Sequence, residues 1–445
     1  MRVQRFGLRV QRFGLAIIAL ATIGGCATER ASTRDRAPAP DLTALQTEFL
    51  AGIASLKVPE FGWGYVQNLE RIGTPETLAQ RDRFFADWRS RVAAIPRNTL
   101  DREMRPRYDA LLFEIEFNLE RLRLESRFAL ARTEPIPADG LAKLPDAPSW
   151  YALHLKRNAS RETTPDALFA FGEAEVARIR GEMRRVQDQM GYAGRDAEWR
   201  ERLRSQVVTD PDAVAARFMR VRDTVQAALP RYFLPRDVRP PPIEPAPNAT
   251  KDTPPGYYTN GVFYFGFFGG RFPARSFGWL YLHEAMPGHH YQLSLPSRAA
   301  DGFSYPASVE GWGAYCEDLG SELGVYADPD LLYGKWEWDL VRSARVALDV
   351  GIHAKGWTRE QALAYWRANV PDQEDIAVRE VDRVTRWPAQ VVSYKVGEKA
   401  LLDLRSELAT RQGAAFDIRD FHARVLALGS LPVSALERAM RESPD

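Results

Sequence analysis

Cysteine is scarce in this sequence: Cys26 and Cys316 are the only two among 445 residues. A fold held together by a disulfide framework is therefore excluded. Lysine is scarce as well, because only eight of the 60 basic residues are Lys and the rest are Arg. Since 59 acidic residues balance them, the net charge is +1, and no overall field attracts nucleic acid or an anionic membrane.

The chain also lacks long hydrophobic runs and internal repeats. Its apolar run near the N-terminus, residues 15–23, is too short to span a bilayer permanently. No repeat of about 20 to 50 residues and no glycine-rich phosphate loop stands out. The 45% apolar content is ample for a core, and a chain of this length suits two or three average domains or one large helical enzyme.

Residues 1–25 have the pattern of a secretory signal peptide. Four arginines precede the apolar run: Arg2, Arg5, Arg9 and Arg12. The run ends in Ile23-Gly-Gly-Cys26, which resembles a bacterial lipobox, so we predict that Cys26 becomes the acylated first residue of the mature chain. An ordinary signal peptide with an incidental cysteine is the alternative. Residues 26–40 are polar and proline-rich, which predicts a tether, and Ala27 favours an outer-membrane anchor facing the periplasm.

From residue 41 onward, helix signals dominate. Four positions offer an N-cap side chain followed by proline and an acidic residue: Thr74, Thr164, Asp210 and Asp328. Thr358 and Gln361 add a capping box. We therefore predict a mainly α fold, with one helical domain over residues 41–445 whose charged residues form solvated helix faces.

One segment interrupts the helical pattern. Residues 234–256 are rich in proline, which fits either a domain linker or an ordered surface loop. Residues 257–268 are aromatic and β-branched, which predicts a strand or an extended segment. Two interpretations of this strand stay open: an edge that pairs with an extended peptide, or a buried strand with no part in binding.

The segment that follows is the most informative in the chain. Three of the six histidines lie within eight residues, beside a glutamate: His283, Glu284, His289 and His290. Two imidazoles and an adjacent carboxylate suit a zinc hydrolase, because the imidazoles hold the ion and the carboxylate acts as a base toward water. This pattern predicts a metal site.

The spacing departs from the familiar HExxH motif, in which the two histidines lie four residues apart. Here Pro287 takes the fourth place after His283. Pro287 and Gly288 predict a bulge that absorbs two extra residues and brings His289 into the place of the second histidine. His290 is the alternative ligand. The histidine that does not bind the metal would then contact a neighbouring group or the substrate.

A third protein ligand would leave one position open for water. Glu310 is the first candidate, and Glu317, seven residues later on the same helical face, is the alternative. Glu284 is then the general base, and Zn²⁺ is the cofactor that a His/His/Glu set favours. The competing interpretation is a degenerate site that keeps only the fold.

Four segments together resemble a known bacterial family. They are His283-Glu-Ala-Met-Pro-Gly-His-His290, Glu310-Gly-Trp-Gly-Ala-Tyr315, Gly351-Ile-His-Ala-Lys-Gly-Trp-Thr358 and Trp387-Pro-Ala-Gln-Val-Val-Ser-Tyr-Lys395. In this order they resemble the family known as domain of unknown function 885, which includes many predicted lipoproteins. The similarity covers nearly the whole chain after the leader. It implies a mostly helical protein similar to zinc peptidases of the angiotensin-converting-enzyme and thermostable-carboxypeptidase type.

Zinc peptidases of that type place a tyrosine and a histidine downstream of the third ligand, which is where Tyr394 and His353 fall. Tyr394 is the candidate for stabilising the oxyanion that forms when water attacks an amide, because a phenol donates a hydrogen bond. His353 is either a second such group or a helix partner of Asp349, four residues before it. Lys395 and Arg386 are candidates for pairing with a substrate carboxylate.

The sequence therefore predicts a secreted, lipid-anchored, mainly α-helical zinc metallopeptidase that cleaves short peptides, with a short strand or small sheet beside the active-site helix. A zinc amidohydrolase acting on a non-peptide amide shares this site and is the nearest alternative. A binding lipoprotein that keeps the fold without turnover is the alternative from another class. No nucleic-acid partner is predicted. A carboxylate-bridged di-iron protein would need further Glu-x-x-His pairs, and the sequence has none.

Overall fold

The computed structural model describes residues 41–131, 135–296, 302–371 and 373–442. The predicted signal peptide, tether and lipidation site Cys26 lie outside the described residues, so these stay predictions. Within the described ranges, no helix combines the length and the apolar character that crossing a bilayer requires.

The predicted mainly α fold is confirmed. The helices in the first half of the chain are α1 (Leu42–Ser55), α2 (Tyr65–Glu70), α3 (Pro75–Ala93), α4 (Arg105–Ala131), α5 (Ala147–Ala159), α6 (Pro165–Gln189), α7 (Asp196–Ser205) and α8 (Pro211–Ala228). Those in the second half are α9 (Phe277–Glu284), α10 (His289–Ser294), α11 (Pro306–Asp318), α12 (Pro329–His353), α13 (Arg359–Asn369), α14 (Glu374–Arg386), α15 (Val392–Gln412), α16 (Ile418–Leu428) and α17 (Val433–Arg441).

The predicted helix starts are confirmed as well. The side chains of four N-cap residues each accept a hydrogen bond from a backbone amide in the first turn, and proline follows each cap: Thr74, Thr164, Asp210 and Asp328. Thr358 and Gln361 form the complete capping box at the start of α13. A cap oxygen satisfies a backbone N–H that has no partner inside the helix, which is why these short signals fix the starts.

Five short strands occur in the described part of the chain: β1 (Val207–Val208), β2 (Ile243–Pro245), β3 (Gly256–Thr259), β4 (Val262–Phe265) and β5 (Phe272–Pro273). β1 pairs with β5. In the second sheet β4 lies in the middle, parallel to β2 and antiparallel to β3, so β3 is an edge strand. β2 belongs to the proline-rich segment 234–256, which is therefore an ordered loop.

The three-stranded sheet packs beside α9. Gly256 of β3 lies so close to Leu280 of α9 that a Cβ at residue 256 would be 3.0 Å from both Leu280 methyl carbons. The predicted small sheet beside the histidine-rich helix is thus present.

Helix α12 passes through the interior, and every residue from Leu340 to His353 is buried. It packs against α6, α14 and α15, and α15 packs in turn along α11. The α11–α15 contact depends on two glycines, because a Cβ at Gly311 would lie 2.4 Å from the Cα of Gly397. This close approach brings α11, α12 and α15 together behind α9.

The expectation that charged residues form solvated helix faces is wrong for α12. Its side chains Asp339, Arg342, Arg345 and Asp349 are all buried. Each pairs with a group on another element, and such pairing is what makes a buried charge tolerable.

Candidate metal centre

The histidine-rich segment forms two short helices rather than one bulged helix. α9 ends at Glu284, and α10 begins at His289. The Tyr291 amide donates to the Ala285 carbonyl (3.3 Å), six residues back instead of the helical four, so the break absorbs two extra residues as the spacing predicts. Gly288 permits this path, because a Cβ there would lie 1.9 Å from the His283 carbonyl oxygen.

Three side chains converge at this break: His283, His289 and Glu310. A glutamate oxygen (Oε2 of Glu310) lies 3.5 Å from Nε2 of His283 and 3.4 Å from Nε2 of His289. One ligand atom from each residue lies within 4.8 Å of the others. Ligand atoms at zinc bond lengths in a tetrahedron are separated by about 3.3 Å, so the donor set and its spacing both fit zinc.

Glu317 supports this cluster and is not one of its ligand groups. The His283 Nδ1–H donates to the Glu317 carboxylate (2.7 Å), which leaves Nε2 directed toward Glu310. The other Glu317 oxygen accepts from the buried guanidinium of Arg342. A carboxylate behind a ligating histidine fixes the orientation of the ring and its tautomer. The alternative ligand Glu317 therefore lies behind the ring of His283, on the side away from Glu310.

Electrostatics couple the three side chains. Burial lowers the pKa of His283, but the carboxylates of Glu310 and Glu317 outweigh it and raise that pKa to about 9. Burial raises the pKa of Glu310, and hydrogen bonds with His283 and His289 outweigh it and hold the pKa well below the usual carboxyl value. A proton therefore lies between His283 and Glu310 when no cation does, and a bound cation would replace it.

His290 is directed away from the cluster. Its Nε2–H donates to the Arg239 carbonyl (2.7 Å), and its Nδ1 accepts from the Tyr258 hydroxyl (3.1 Å). His290 thus joins α10 to β3 and to the proline-rich loop. His289 makes no such bonds, and its Nδ1 is buried without a partner in the described chain.

Glu284 and Tyr394 face the same cavity as the cluster. Glu284 is largely buried, yet its carboxylate forms no hydrogen bond or ion pair with the described residues.

The Tyr394 ring stacks 6.2 Å from the His283 ring, and its hydroxyl accepts a hydrogen bond from Arg383 (3.4 Å). Burial and the negative charge of Glu310 raise the pKa of Tyr394, so its phenol stays protonated and can donate.

His353 is not brought to the cluster. The Leu141 amide donates to its Nδ1 (3.1 Å), and its Nε2–H donates to the Val384 carbonyl (2.9 Å). Both nitrogens are therefore occupied by backbone groups, and burial lowers the pKa of the ring to about 4. Asp349 does not pair with it, because the Tyr151 hydroxyl and the Ala389 amide donate to that carboxylate. This position supports a structural role for His353.

Lys395 also lies away from the cavity, in a group of buried charges that we call the interior ion cluster. Its members are Lys335, Lys395, Asp318, Asp339, Glu175 and Glu398. The Lys395 ammonium lies 2.7 Å from Asp339, 3.1 Å from Glu175 and 2.5 Å from Glu398, so its three N–H donors are used and none is left for a substrate carboxylate. Arg386 does line the cavity, where its Nε donates to the Asp382 carbonyl (3.1 Å).

The cavity has a volume of about 1610 Å³. The three candidate ligand residues, the edge strand β3 and helix α14 all contribute to its wall. Three of its lining side chains are large, apolar and about half exposed: Trp63, Leu293 and Val378. The site is therefore wide enough for an extended chain and has apolar surface at its edge.

Three arginines around this site were not predicted from the sequence: Arg342, Arg345 and Arg383. Their partners lie 25 or more residues away or on another helix, so local spacing does not identify them. The sequence does carry a signal for Arg342 and Arg345: they lie in the mostly apolar run of residues 340–352, where a charged side chain is expected to be buried.

Comparison with known proteins gives a family match and similar solved structures. The family described as "Bacterial protein of unknown function (DUF885)" matches residues 123–440. A structure described as "the putative lipoprotein from Colwellia psychrerythraea" is 25% identical, with 88% of this chain and 69% of that chain covered and a TM-score of 0.62.

A structure described as "a putative lipoprotein of unknown function from Shewanella oneidensis" is 17% identical. The match covers 91% of this chain and 100% of that chain with a TM-score of 0.65, so the two share the fold. No curated protein matches the sequence.

Proposed function

Since the chain belongs to DUF885, a family of bacterial proteins of unknown function, we propose a function from the site itself: zinc-dependent hydrolysis of peptide bonds in short peptides. One observation carries the proposal. His283, His289 and Glu310 converge with the donor types and the spacing of a three-ligand zinc site that opens onto a large cavity. When bound there, zinc would supply a Lewis acid that polarises a carbonyl and acidifies water.

Glu284 is the general base of the proposed reaction. It directly follows a candidate ligand in the chain, and its carboxylate faces the cavity without a competing partner in the described residues. A carboxylate in that place takes a proton from the attacking water and passes it to the leaving amine. Tyr394 supports the reaction by donating its phenolic proton in a hydrogen bond to the developing oxyanion.

The edge strand β3 supports an extended substrate. Tyr257 and Tyr258 line the cavity, and β3 pairs on one side only with a described strand. A free strand edge offers backbone N–H and C=O groups in the register that an extended peptide can match. The cavity also exceeds the roughly 300–1,000 Å³ usual for small-molecule pockets, which favours an oligopeptide.

We also propose that the protein is lipid-anchored through Cys26 in the cell envelope. The signal-peptide pattern and the Ile23-Gly-Gly-Cys26 segment support this. The descriptions of the two similar structures also use the term "putative lipoprotein". Metabolic labelling with an alkyne-bearing palmitate tests it. Wild-type protein should take up the label, and the Cys26→Ser variant should not.

The first test of the site is metal content, measured by plasma mass spectrometry on leaderless protein. We expect close to one zinc per chain, lost in His283→Ala, His289→Ala and Glu310→Ala and kept in His290→Ala, whose ring bonds elsewhere. Absence of zinc after reconstitution would refute the proposal.

The second test is turnover, measured by mass spectrometry of a peptide library with the zinc-loaded protein. Glu284→Gln serves as the matched blank because it removes the base and keeps the shape of the side chain. Cleavage that is lost in Glu284→Gln supports a peptidase. Zinc binding without cleavage of any peptide would favour a non-peptide amide substrate or a binding lipoprotein.

A further inference from the structure

Several arginines of α12 and α14 lie together on the cavity wall beside the candidate metal centre. Three arginines surround one carboxylate there: Arg345 and two α14 residues, Arg379 and Arg383, around Glu380. The Arg345 Nε lies 2.7 Å from one Glu380 oxygen, and the Arg379 Nη2 lies 3.1 Å from the other. Both oxygens are thus used by other guanidinium groups, and within the described ranges Arg383 forms no hydrogen bond with a carboxylate.

The Arg383 guanidinium is held firmly but is not saturated. Its Nη2 donates to Gln390 (2.8 Å) and to Tyr394 (3.4 Å), and the group lies over the Trp387 ring at 5.7 Å. Its Nε is buried without a hydrogen bond, and its Nη1 has no partner in the described chain. A guanidinium has five N–H donors, so this one keeps unused donors at the cavity wall.

The place of Arg383 relative to the cluster is set by Tyr394, which stacks on His283 and bonds to Arg383. Glu310 also acts electrostatically on Arg383. An anion bound by Arg383 would therefore lie close to the hydrolysed bond. The other cations that line the cavity are less suitable. Arg379 and Arg345 already hold Glu380, and the remaining four are exposed: Lys143, Lys251, Arg359 and Arg386.

We propose that Arg383 binds the C-terminal carboxylate of the substrate, so that the protein acts on peptides from their C-terminal end. The planar fork of a guanidinium matches a carboxylate, and every unmodified peptide carries one at its C-terminus. A carboxylate fixed beside the cluster leaves room for only a short segment between it and the cleaved bond. This assignment rests on the proposed function and adds the substrate class to it.

The test measures binding, which does not require turnover. The protein is the full leaderless chain carrying Glu284→Gln, loaded with zinc, and the probe is N-acetyl-Ala-Phe-Ala-Leu as the free acid or as the C-terminal amide. Isothermal titration calorimetry should show the acid binding at least ten-fold more tightly than the amide. Equal affinities, including no measurable binding of either peptide, would overturn the inference.

Variants of Arg383 identify the group responsible. Arg383→Gln should remove the preference for the acid, and Arg383→Lys, which keeps the charge, should retain part of it. Arg185→Gln is the matched control, because Arg185 is an exposed arginine on α6 whose ion-pair partner in the described chain is Glu182. Circular dichroism shows whether each variant folds. An unchanged preference in a folded Arg383→Gln would contradict the assignment.

A third peptide distinguishes two sources of the carboxylate. It ends in Glu with an amidated C-terminus, so its only carboxylate is on a side chain. If it binds as tightly as the free acid, Arg383 recognises acidic side chains and the C-terminal assignment fails. If the acid preference holds but the zinc-loaded wild-type protein cleaves no peptide, the inference stands and the proposed hydrolysis fails.

Discussion

Gly313 offers a way to disturb the candidate metal centre without removing a ligand. This residue of α11 lies against the imidazole of His283, and a Cβ added to it would lie 2.5 Å from Cε1, 2.7 Å from Nδ1 and 2.9 Å from Nε2. Contacts between nonbonded carbons settle near 3.5–4.0 Å, so in Gly313→Ala the ring has to retreat by about 1 Å. The retreat also breaks the 2.7 Å bond from His283 to Glu317.

A displacement of this size is several times the roughly 0.2 Å that zinc coordination tolerates. We therefore expect Gly313→Ala to weaken zinc binding by at least about 100-fold, which is the upper range for losing a partner that orients a ligand. Overpacking should also lower the free energy of unfolding of the metal-free protein by about 1–3 kcal/mol. Competition with a chromogenic chelator measures the first effect, and urea unfolding in EDTA measures the second.

Gly181 provides the matched control. It lies in helix α6, and a Cβ added to it would meet nothing within 4 Å. Gly181→Ala should leave zinc affinity unchanged and raise the free energy of unfolding by roughly 0.5–1 kcal/mol, because alanine loses less backbone entropy in a helix. If Gly313→Ala binds zinc within three-fold of wild type, His283 is not a ligand in the arrangement described.

Three further predictions test other parts of the structure. Glu317→Gln should reduce zinc affinity about 10- to 100-fold in the same chelator assay, since the neutral amide orients His283 less strongly; an unchanged affinity would exclude an orienting role. Lys395→Met leaves the carboxylates of the interior ion cluster uncompensated and should lower the free energy of unfolding by roughly 3–5 kcal/mol, measured in urea, without affecting zinc binding. Burial raises the pKa of Asp349 from 3.8 to about 7. As the pH rises, this carboxyl therefore loses its proton at a lower pH in the unfolded chain than in the folded protein. The stability that Asp349 contributes is complete below pH 4 and is lost by pH 7, up to about 4 kcal/mol. Urea unfolding at several pH values should show that the free energy of unfolding falls less steeply between pH 4 and pH 7 in Asp349→Asn than in the wild type. Equal slopes in the two proteins would contradict the raised pKa of Asp349.

Local features of the structure follow from short sequence signals. Thr74, Thr164, Asp210 and Asp328 begin helices because a cap oxygen and a following proline act within one turn and need no distant partner. The spacing of His283 and His289 also follows from local geometry. In a regular helix, side chains six residues apart point in different directions, so the two rings meet only if the break between the helices absorbs two residues.

The features that the sequence could not predict depend on distant contacts. The carbonyl of Arg239 binds His290 and keeps it away from the cluster, and backbone groups of Leu141 and Val384 hold His353. Each of these partners is far in the chain from the histidine that it contacts. Lys395 directly follows Tyr394 on α15, but successive helical residues point about 100° apart, so only one of the two faces the cavity. Pattern alone does not say which.

The interior ion cluster has a consequence for how sequences of this fold can diverge. Its two lysines and four carboxylates come from four helices, α6, α11, α12 and α15. Each lysine lies between at least two carboxylates, so replacing either lysine with a neutral residue leaves those carboxylates without their cation. Single substitutions there should be rare, and pairs of opposite charge should be exchanged together. An alignment of relatives should therefore show positions 175, 318, 335, 339, 395 and 398 changing together, and more slowly than the surface residues around them.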